Sequence, residues 1–340
     1  MTHSILDLDI GQLKAYLESK GFAGFSSKQI YSWIYKKGVY DFQKMSNLSG
    51  ELRGFLKRNN CILSLVLIEK HRSFDGAQKF LFGLCDKNAI ESVLIPAAKR
   101  LTVCISTQAG CKFACRFCAS GAKGFMRSLS CAEIIEQIIL LQDNAQRRIN
   151  NIVFMGVGEP LDNYDNVIKS IRILNSFYSF HIGARKITIS TCGLISGIRR
   201  LAEENLQIEL SVSLHAADNK TRDFLMPVNK RFPLEKLIPA CRSYFKKTKR
   251  QVTFEYVLIR GINSDVKQAQ MLARRLRGFD AKVNLISVNP FKTELPVCSS
   301  SQICYFQDAL AKAGIPVTLR RPRGSDIKAA CGQLRLTKIR

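Results

Sequence analysis

The chain is short of negative charge. Its 340 residues hold 27 Asp and Glu against 52 Lys and Arg, a formal net charge of +25. A folded protein this basic is built to meet a polyanion. The sequence has no amphipathic segment of the kind that lies on a lipid surface, so nucleic acid is the expected partner. The basic clusters are "KKTKR" (246–250), "RRPRG" (320–324) and the tail "LRLTKIR". A second absence is a long apolar run. Nothing approaches the about 18 residues of a membrane span, so no membrane association is expected. The opening "MTHSILDLDIGQLKAYL" lacks a basic leader and a long apolar stretch, so no secretory signal is expected and the location should be cytoplasmic. Short-period repeats and low-complexity tracts are missing as well.

The third absence is a second cysteine pair. There are 12 cysteines, and a reducing compartment excludes a disulfide framework. Seven of them (Cys61, Cys85, Cys131, Cys192, Cys241, Cys298 and Cys304) show no ligand spacing and read as core or incidental residues. Three more lie within "GCKFACRFC" (110–118), which sets Cys111, Cys115 and Cys118 in a C-x3-C-x2-C array. Structural zinc prefers four protein ligands, often as two separated C-x2-C pairs. Here there is one triplet. Cys104 could serve as a fourth ligand, but it lies within a predicted strand and need not face the same way.

What is present divides into three regions. Residues 1–60 read as a small basic helical module, expected to bind RNA. Its helices are "DIGQLKAYLESKG", "SSKQIYSWIYKKG" and "SGELRGFLKRN", with serine caps and terminal glycines. Residues 61–96 read as a β-rich extension: a hairpin around "SFDG", then a strand at "AIESVLIP". From residue 97 a strand-then-helix beat begins. Strands are expected at "LTVCIST", "NIVFMGV", "KITIST", "IELSVSLH", "QVTFEYVLI", "KVNLISV" and "PVTLRR". Helices are expected at "CAEIIEQIILLQDNA", "NVIKSIRILNSF", "LEKLIPACRSYFKK" and "AQMLARRLRG". This alternation predicts an α/β fold with a parallel sheet, open or closed into a barrel. Functional groups in such sheets gather at the carboxyl ends of the strands, and the cysteine triplet falls there, just after "LTVCIST".

A four-iron cluster normally takes four thiolates. Three leave one iron open to a small molecule. C-x3-C-x2-C resembles the signature of the radical S-adenosylmethionine (SAM) superfamily, in which the amino and carboxylate groups of SAM fill that position. The resemblance implies a partial (β/α)6 TIM-like barrel, a [4Fe–4S] cluster held by Cys111, Cys115 and Cys118, and SAM as cofactor. "MGVGEPL" resembles the family's Gly-Glu-Pro motif, which implies SAM contacts at Gly158, Glu159 and Pro160. Phe117 matches the aromatic beside the adenine. The strand ends "STCG", "SLHA" and "VNPF" place Ser190, then Ser213, Leu214 and His215, then Asn289 around the same pocket. His215 reads as a structural or pocket residue rather than a proton shuttle. Asp162 and Asn163 read as residues that close a turn.

"IESVLIP", "VCIST", "FMGVGEPLDN" and "DIKAACGQLRL" together resemble the RlmN family, radical SAM adenosine C2-methyltransferases of ribosomal and transfer RNA. The resemblance spans nearly the whole chain. It implies 23S ribosomal RNA at the peptidyl transferase centre and transfer RNA anticodon loops as substrates, two SAM per turnover, a reductant such as a flavodoxin system, and a monomer. It also implies roles for three residues. Cys331 would be methylated, lose a hydrogen from that methyl to a deoxyadenosyl radical, and bind covalently to adenine C2. Glu91 would remove the C2 proton. Cys104 would attack the sulfur of Cys331, freeing the base and leaving a disulfide for reduction. The chemistry has a physical reason: C2 of adenine is electrophilic, so ordinary methyl transfer, which needs a nucleophile, fails there. The alternatives are a C8-methylating enzyme of the Cfr type, against which the proline of "GEPLDN" and the N-terminal sequence speak, and a non-enzymatic zinc-containing RNA-binding protein.

Overall fold

The computed structural model describes residues 3–145, 147–289, 295–335 and 337–338. Pro290 and Phe291 of "VNPF", and part of the basic tail, lie outside the described residues.

Three helices open the chain: α1 (Ile10–Ser19), α2 (Ser26–Tyr31) and α3 (Gly50–Asn59). Asp9 and Gln12 form a capping box at the start of α1, and Ser49 caps α3 through the Leu52 amide. The helix expected at "SSKQIYSWIYKKG" runs on from α2 as one π-helical turn, Ser32–Lys36. Leu13, Leu17, Ile30, Ile34, Leu52 and Leu56 turn inward. They belong to the same apolar core as most of the sheet and its helices.

The hairpin forms as expected. Strands β1 (Val66–Arg72) and β2 (Gln78–Gly83) pair antiparallel, and β2 pairs with β3 (Asn88–Pro96). β3 then pairs antiparallel with β4 (Leu101–Cys104), so the hairpin extends the edge of the main sheet. From β4 onward the strands are parallel: β5 (Asn151–Phe154), β6 (Ile187–Thr191), β7 (Glu209–Ser213), β8 (Val252–Leu258), β9 (Ala281–Ser287) and β10 (Val317–Arg320) follow in spatial order. Every residue of β8 is buried, as expected of a central strand covered on both faces.

The crossovers are α4 (Cys131–Asp143), α5 (Tyr164–Asn175), α6 (Ile195–Leu201), α7 (Asn219–Leu225) with α8 (Leu234–Thr248), α9 (Val266–Leu276) and α10 (Ser300–Lys312). Six strand–helix units are thus followed by a last strand, and β10 and β1 end the sheet unpaired with each other. This is the partial (β/α)6 barrel that the sequence predicts. No helix among the described residues is long and apolar enough to cross a membrane.

Candidate active site

The loop after β4 holds the cysteine triplet in a fixed shape. Gly110 sits at φ +82°, and a Cβ there would stand 2.0 Å from the Gly124 carbonyl oxygen. Only glycine fits. The Cys111 amide donates to Gly124 O at 3.0 Å and the Cys118 amide to Cys115 O at 3.0 Å. Asp162, beyond the Gly-Glu-Pro turn, reaches back to Lys112 at 2.7 Å and accepts from Gln108 Nε2 at 2.8 Å. Asn163 donates to the carbonyls of Thr107 and Leu129. The two residues therefore brace the cysteine loop as well as closing a turn.

The three thiols line one open-mouthed cavity at the carboxyl ends of the parallel strands. Burial pushes Cys111 up to about 12, and Cys115 and Cys118 also upward. Cys115 is raised further by both of the other two. Such thiols keep their protons until a metal displaces them. Among the described residues, no three His, Cys, Asp or Glu side chains converge closely enough for a single ion. The triplet surrounds a wider space, and three soft donors around it suit an iron–sulfur cluster better than one zinc.

Of the expected SAM-contacting residues, Phe117, Gly158, Glu159, Ser190, Ser213, His215 and Asn289 line this cavity. The Glu159 carboxylate is committed elsewhere: it accepts from the amides of Leu161 at 3.0 Å and Cys192 at 2.7 Å, stapling two strand-end loops together. Pro160 and Leu214 are not in the lining. Pro160 opens a buried 3-10 turn. Leu214 is core, its carbonyl accepting from Arg222 Nε at 3.1 Å. His215 packs edge-on against Phe117, centroids 4.5 Å apart, and its Nδ1 accepts from the Val257 amide at 2.9 Å. Burial, then the nearby Arg222 charge, lowers its pKa to about 3. It is a neutral structural imidazole facing the pocket.

Cys331 lines the same cavity and also the adjoining one, which it shares with Cys104. Both are free thiols. Burial pushes Cys104 up to about 12, with Cys331 raising it further and Arg320 opposing. The segment carrying Cys331 is fastened to the cysteine loop: Ala119 N donates to Gly332 O at 2.7 Å, and Ser120 Oγ to Leu334 O at 2.8 Å. Asn289 Nδ2 holds the Cys331 carbonyl at 3.2 Å. Gly332 sits at φ +82°, and a Cβ there would stand 2.8 Å from Phe117 O.

Glu91 is placed differently. It is buried in β3 and lines a separate cavity with Lys79 and Arg335. Its carboxylate lies 3.3 Å from Lys79 Nζ and accepts from the Arg335 amide at 2.9 Å. The two cysteines are together, and Glu91 stands on the far side of the C-terminal segment.

Charge alone misplaces some of the basic residues. Arg320, read as part of a nucleic-acid footprint, lines the cavities of Cys331 and Cys104. Its pKa is raised by Cys331, Glu255 and Cys104. Arg323 is anchored by Asp75 at 3.3 Å and by the Pro96 carbonyl at 3.0 Å. Within "KKTKR", Lys247 and Arg250 pair with Glu203 and Glu209. Arg320 and Glu255 line the cysteine cavity and Arg222 holds the carbonyls of its lining residues Cys192 and Ser213; the sequence placed none of the three there. The only signal was the position of the first two on strands of the sheet.

A three-cysteine loop at the carboxyl edge of a partial (β/α) barrel, with a glycine–glutamate–proline turn after the next strand, defines a radical SAM protein. Accordingly, the radical SAM superfamily profile matches residues 105–271. A ribosomal RNA large subunit methyltransferase N-terminal domain matches residues 3–62. The chain is 46% identical over 338 residues to a protein of Thermotoga sp. strain RQ2 described as "Probable dual-specificity RNA methyltransferase RlmN", covering 99% of this chain and 98% of the relative. A protein of Clostridium novyi strain NT with the same description is 43% identical, with 99% of each chain covered. The crystal structure of a radical SAM methyltransferase from Sphaerobacter thermophilus superposes with a TM-score of 0.94 at 40% identity, covering 98% of this chain and 99% of that one. The chain belongs to the RlmN family of radical SAM RNA methyltransferases.

Proposed function

We propose that this protein methylates C2 of adenosine in RNA, in 23S ribosomal RNA at the peptidyl transferase centre and in transfer RNA anticodon loops, through a covalent link between Cys331 and the base. The observation that supports this most is the position of Cys331, in the wall between the cavity of the cysteine triplet and the cavity of Cys104. The one residue borders both.

Cys111, Cys115 and Cys118 would hold the cluster. Phe117, Ser190, Ser213, His215 and Asn289 would frame SAM. When bound and reduced by a flavodoxin-type donor, these groups supply the radical that takes a hydrogen atom from a methyl group on Cys331. Cys331 would acquire that methyl beforehand by displacement on a first SAM, with S-adenosylhomocysteine leaving, and Arg320 lines both cavities that Cys331 borders. The methylene on Cys331 then bonds to adenine C2. Glu91 would take the C2 proton, and one electron would return to the group that supplied the radical, so that the ring regains aromaticity. For this the segment 329–335 must move, because the Arg335 amide now occupies the Glu91 carboxylate. Cys104 closes the cycle. Its thiolate attacks the sulfur of Cys331, the carbon–sulfur bond breaks toward the base, and the carbon takes a proton to become the methyl group. The disulfide left behind takes two electrons from the reductant.

The deciding experiment is anaerobic reaction with RNA, then digestion and mass spectrometry of the nucleosides. The proposal expects 2-methyladenosine. 8-Methyladenosine, or no modified base with the cluster fully loaded, contradicts it.

A further inference from the structure

Arg222 is fully enclosed, with 0% of its surface exposed, and none of its partners is an anion. It stands on α7, just beyond the carboxyl end of β7. Its Nε donates to Leu214 O at 3.1 Å. Nη1 donates to Asn229 Oδ1 at 2.9 Å and Phe232 O at 3.3 Å. Nη2 donates to Cys192 O at 2.8 Å and Ser213 O at 3.2 Å. Every acceptor is neutral. The carboxylate that acts on it, Asp223, is only half-buried and is hydrogen-bonded by Asn229 Nδ2 at 2.8 Å. No ion pair to Arg222 occurs among the described residues.

A buried charge without a counter-charge is costly, and carbonyl dipoles offset only part of that cost. Thiols act on its charge, Cys192 first, then Cys115 and Cys241, and its Nη2 is held by the carbonyl of Cys192, a lining residue of the cysteine cavity. The last turn of α7 is joined to the cysteine loop, with Arg116 N donating to Leu225 O at 3.0 Å. The fold thus fixes a buried guanidinium on the carbonyls of Cys192 and Ser213, two residues that line the cavity of the cysteine triplet.

We propose that Arg222 is the built-in counter-charge of the iron–sulfur cluster, set to stabilise its reduced, more negative state. The proposal rests on the reading of Cys111, Cys115 and Cys118 as cluster ligands. It makes Arg222 a positioning residue for electrons rather than a group that touches substrate. A fixed cation near a cluster stabilises the form that has gained an electron, so it raises the reduction potential. Local charge and hydrogen bonding are the protein's levers on such potentials. A cluster on Cys115 would bring, with its thiolate ligands, the anion that the neutral acceptors of Arg222 do not supply.

The test is a redox titration followed by electron paramagnetic resonance on anaerobically reconstituted full-length protein, without RNA, normalised to iron and sulfide content. Arg222→Gln keeps donors but removes the charge, and Arg222→Lys keeps the charge with fewer donors. The Gln variant should titrate at a potential lower by about 59 mV or more, a tenfold shift in a one-electron equilibrium, while the Lys variant stays near wild type. Cluster uptake by the Lys variant but not by the Gln variant supports the same conclusion. Equal potentials in all three loaded proteins overturn it. So does loss of folding or of cluster uptake in both variants, which would make Arg222 a hydrogen-bonding brace. Wild-type protein that takes up no cluster refutes the ligand assignment beneath the proposal, a result distinguishable from the others.

Discussion

The loop at residues 110–118 and the segment at residues 324–335 both bring cysteines to the same cavity, by opposite routes. In the loop, three thiols are neighbours in sequence, and one turn of backbone, opened by Gly110, sets their arrangement. The C-terminal segment brings a single thiol from more than 200 positions away. Long-range staples hold it there: Gly332 O on Ala119 N, Leu334 O on Ser120 Oγ, and the Arg335 amide on Glu91. The difference separates two kinds of site. A ligand set with local spacing assembles wherever its loop folds. A juxtaposition such as that of Cys331 and Cys104 at one cavity exists only once the sheet has brought distant segments together.

The comparison can be broken at either end. Changing Cys111, Cys115 or Cys118 to Ala should abolish iron binding and all methyl transfer, read from the visible absorption and from RNA product. Full iron and sulfide content in any of these variants would remove the loop from the account. A change in the other region should spare the cluster. Gly332→Ala forces a side chain onto Phe117 O from a left-handed backbone position, a strain of about 1–3 kcal/mol. If the strain displaces Cys331, methyl transfer should fall about 10–100-fold with cluster content unchanged, since each ~1.4 kcal/mol is a factor of ten.

A smaller effect concerns acid. His215 is held neutral, its pKa lowered to about 3 from an ordinary value near 6.5. The unfolded chain therefore binds the extra proton first as pH falls. The stability contributed by the neutral ring is complete above about pH 6.5 and drains away toward pH 3, by about 5 kcal/mol at the limit. Denaturant unfolding of His215→Gln should show a flatter dependence between pH 6 and 4 than wild type. Parallel curves would mean that other groups govern the acid limb. The smallest effect lies on the surface. Neutralising the exposed Lys36, Lys37 and Arg321 together should weaken RNA binding several-fold and reduce its salt dependence. An unchanged salt slope would place the RNA elsewhere.

Much of this was legible in the sequence, and for physical reasons. The strand–helix beat, the hairpin and the cysteine spacing are local patterns, and the fold reproduces them. Helix α10 was missed because only Phe306 and Leu310 of its inward face are fully buried, too sparse a stripe to register as a period. Helices α6 and α7 are short, at 7 residues each. Pro160 and Leu214 adjoin residues that line the cavity, but one is held by a tight turn and the other by the core. Arg320 and Arg323 count as surface charge in a composition, yet the fold turns one toward the cysteines and the other onto Asp75. Arg222 could not be found from sequence, because its meaning lies in what surrounds it.

The central claim is that Cys331 carries the base and Cys104 releases it. The most direct measurement is gel electrophoresis of Cys104→Ala purified from cells, with and without ribonuclease, followed by mass spectrometry of the peptide containing Cys331. The account predicts a protein retarded by covalently bound RNA, collapsed by ribonuclease to a single adenosine-derived adduct on Cys331 through one added carbon. Unmodified Cys104→Ala protein that turns over RNA at the wild-type rate would contradict it.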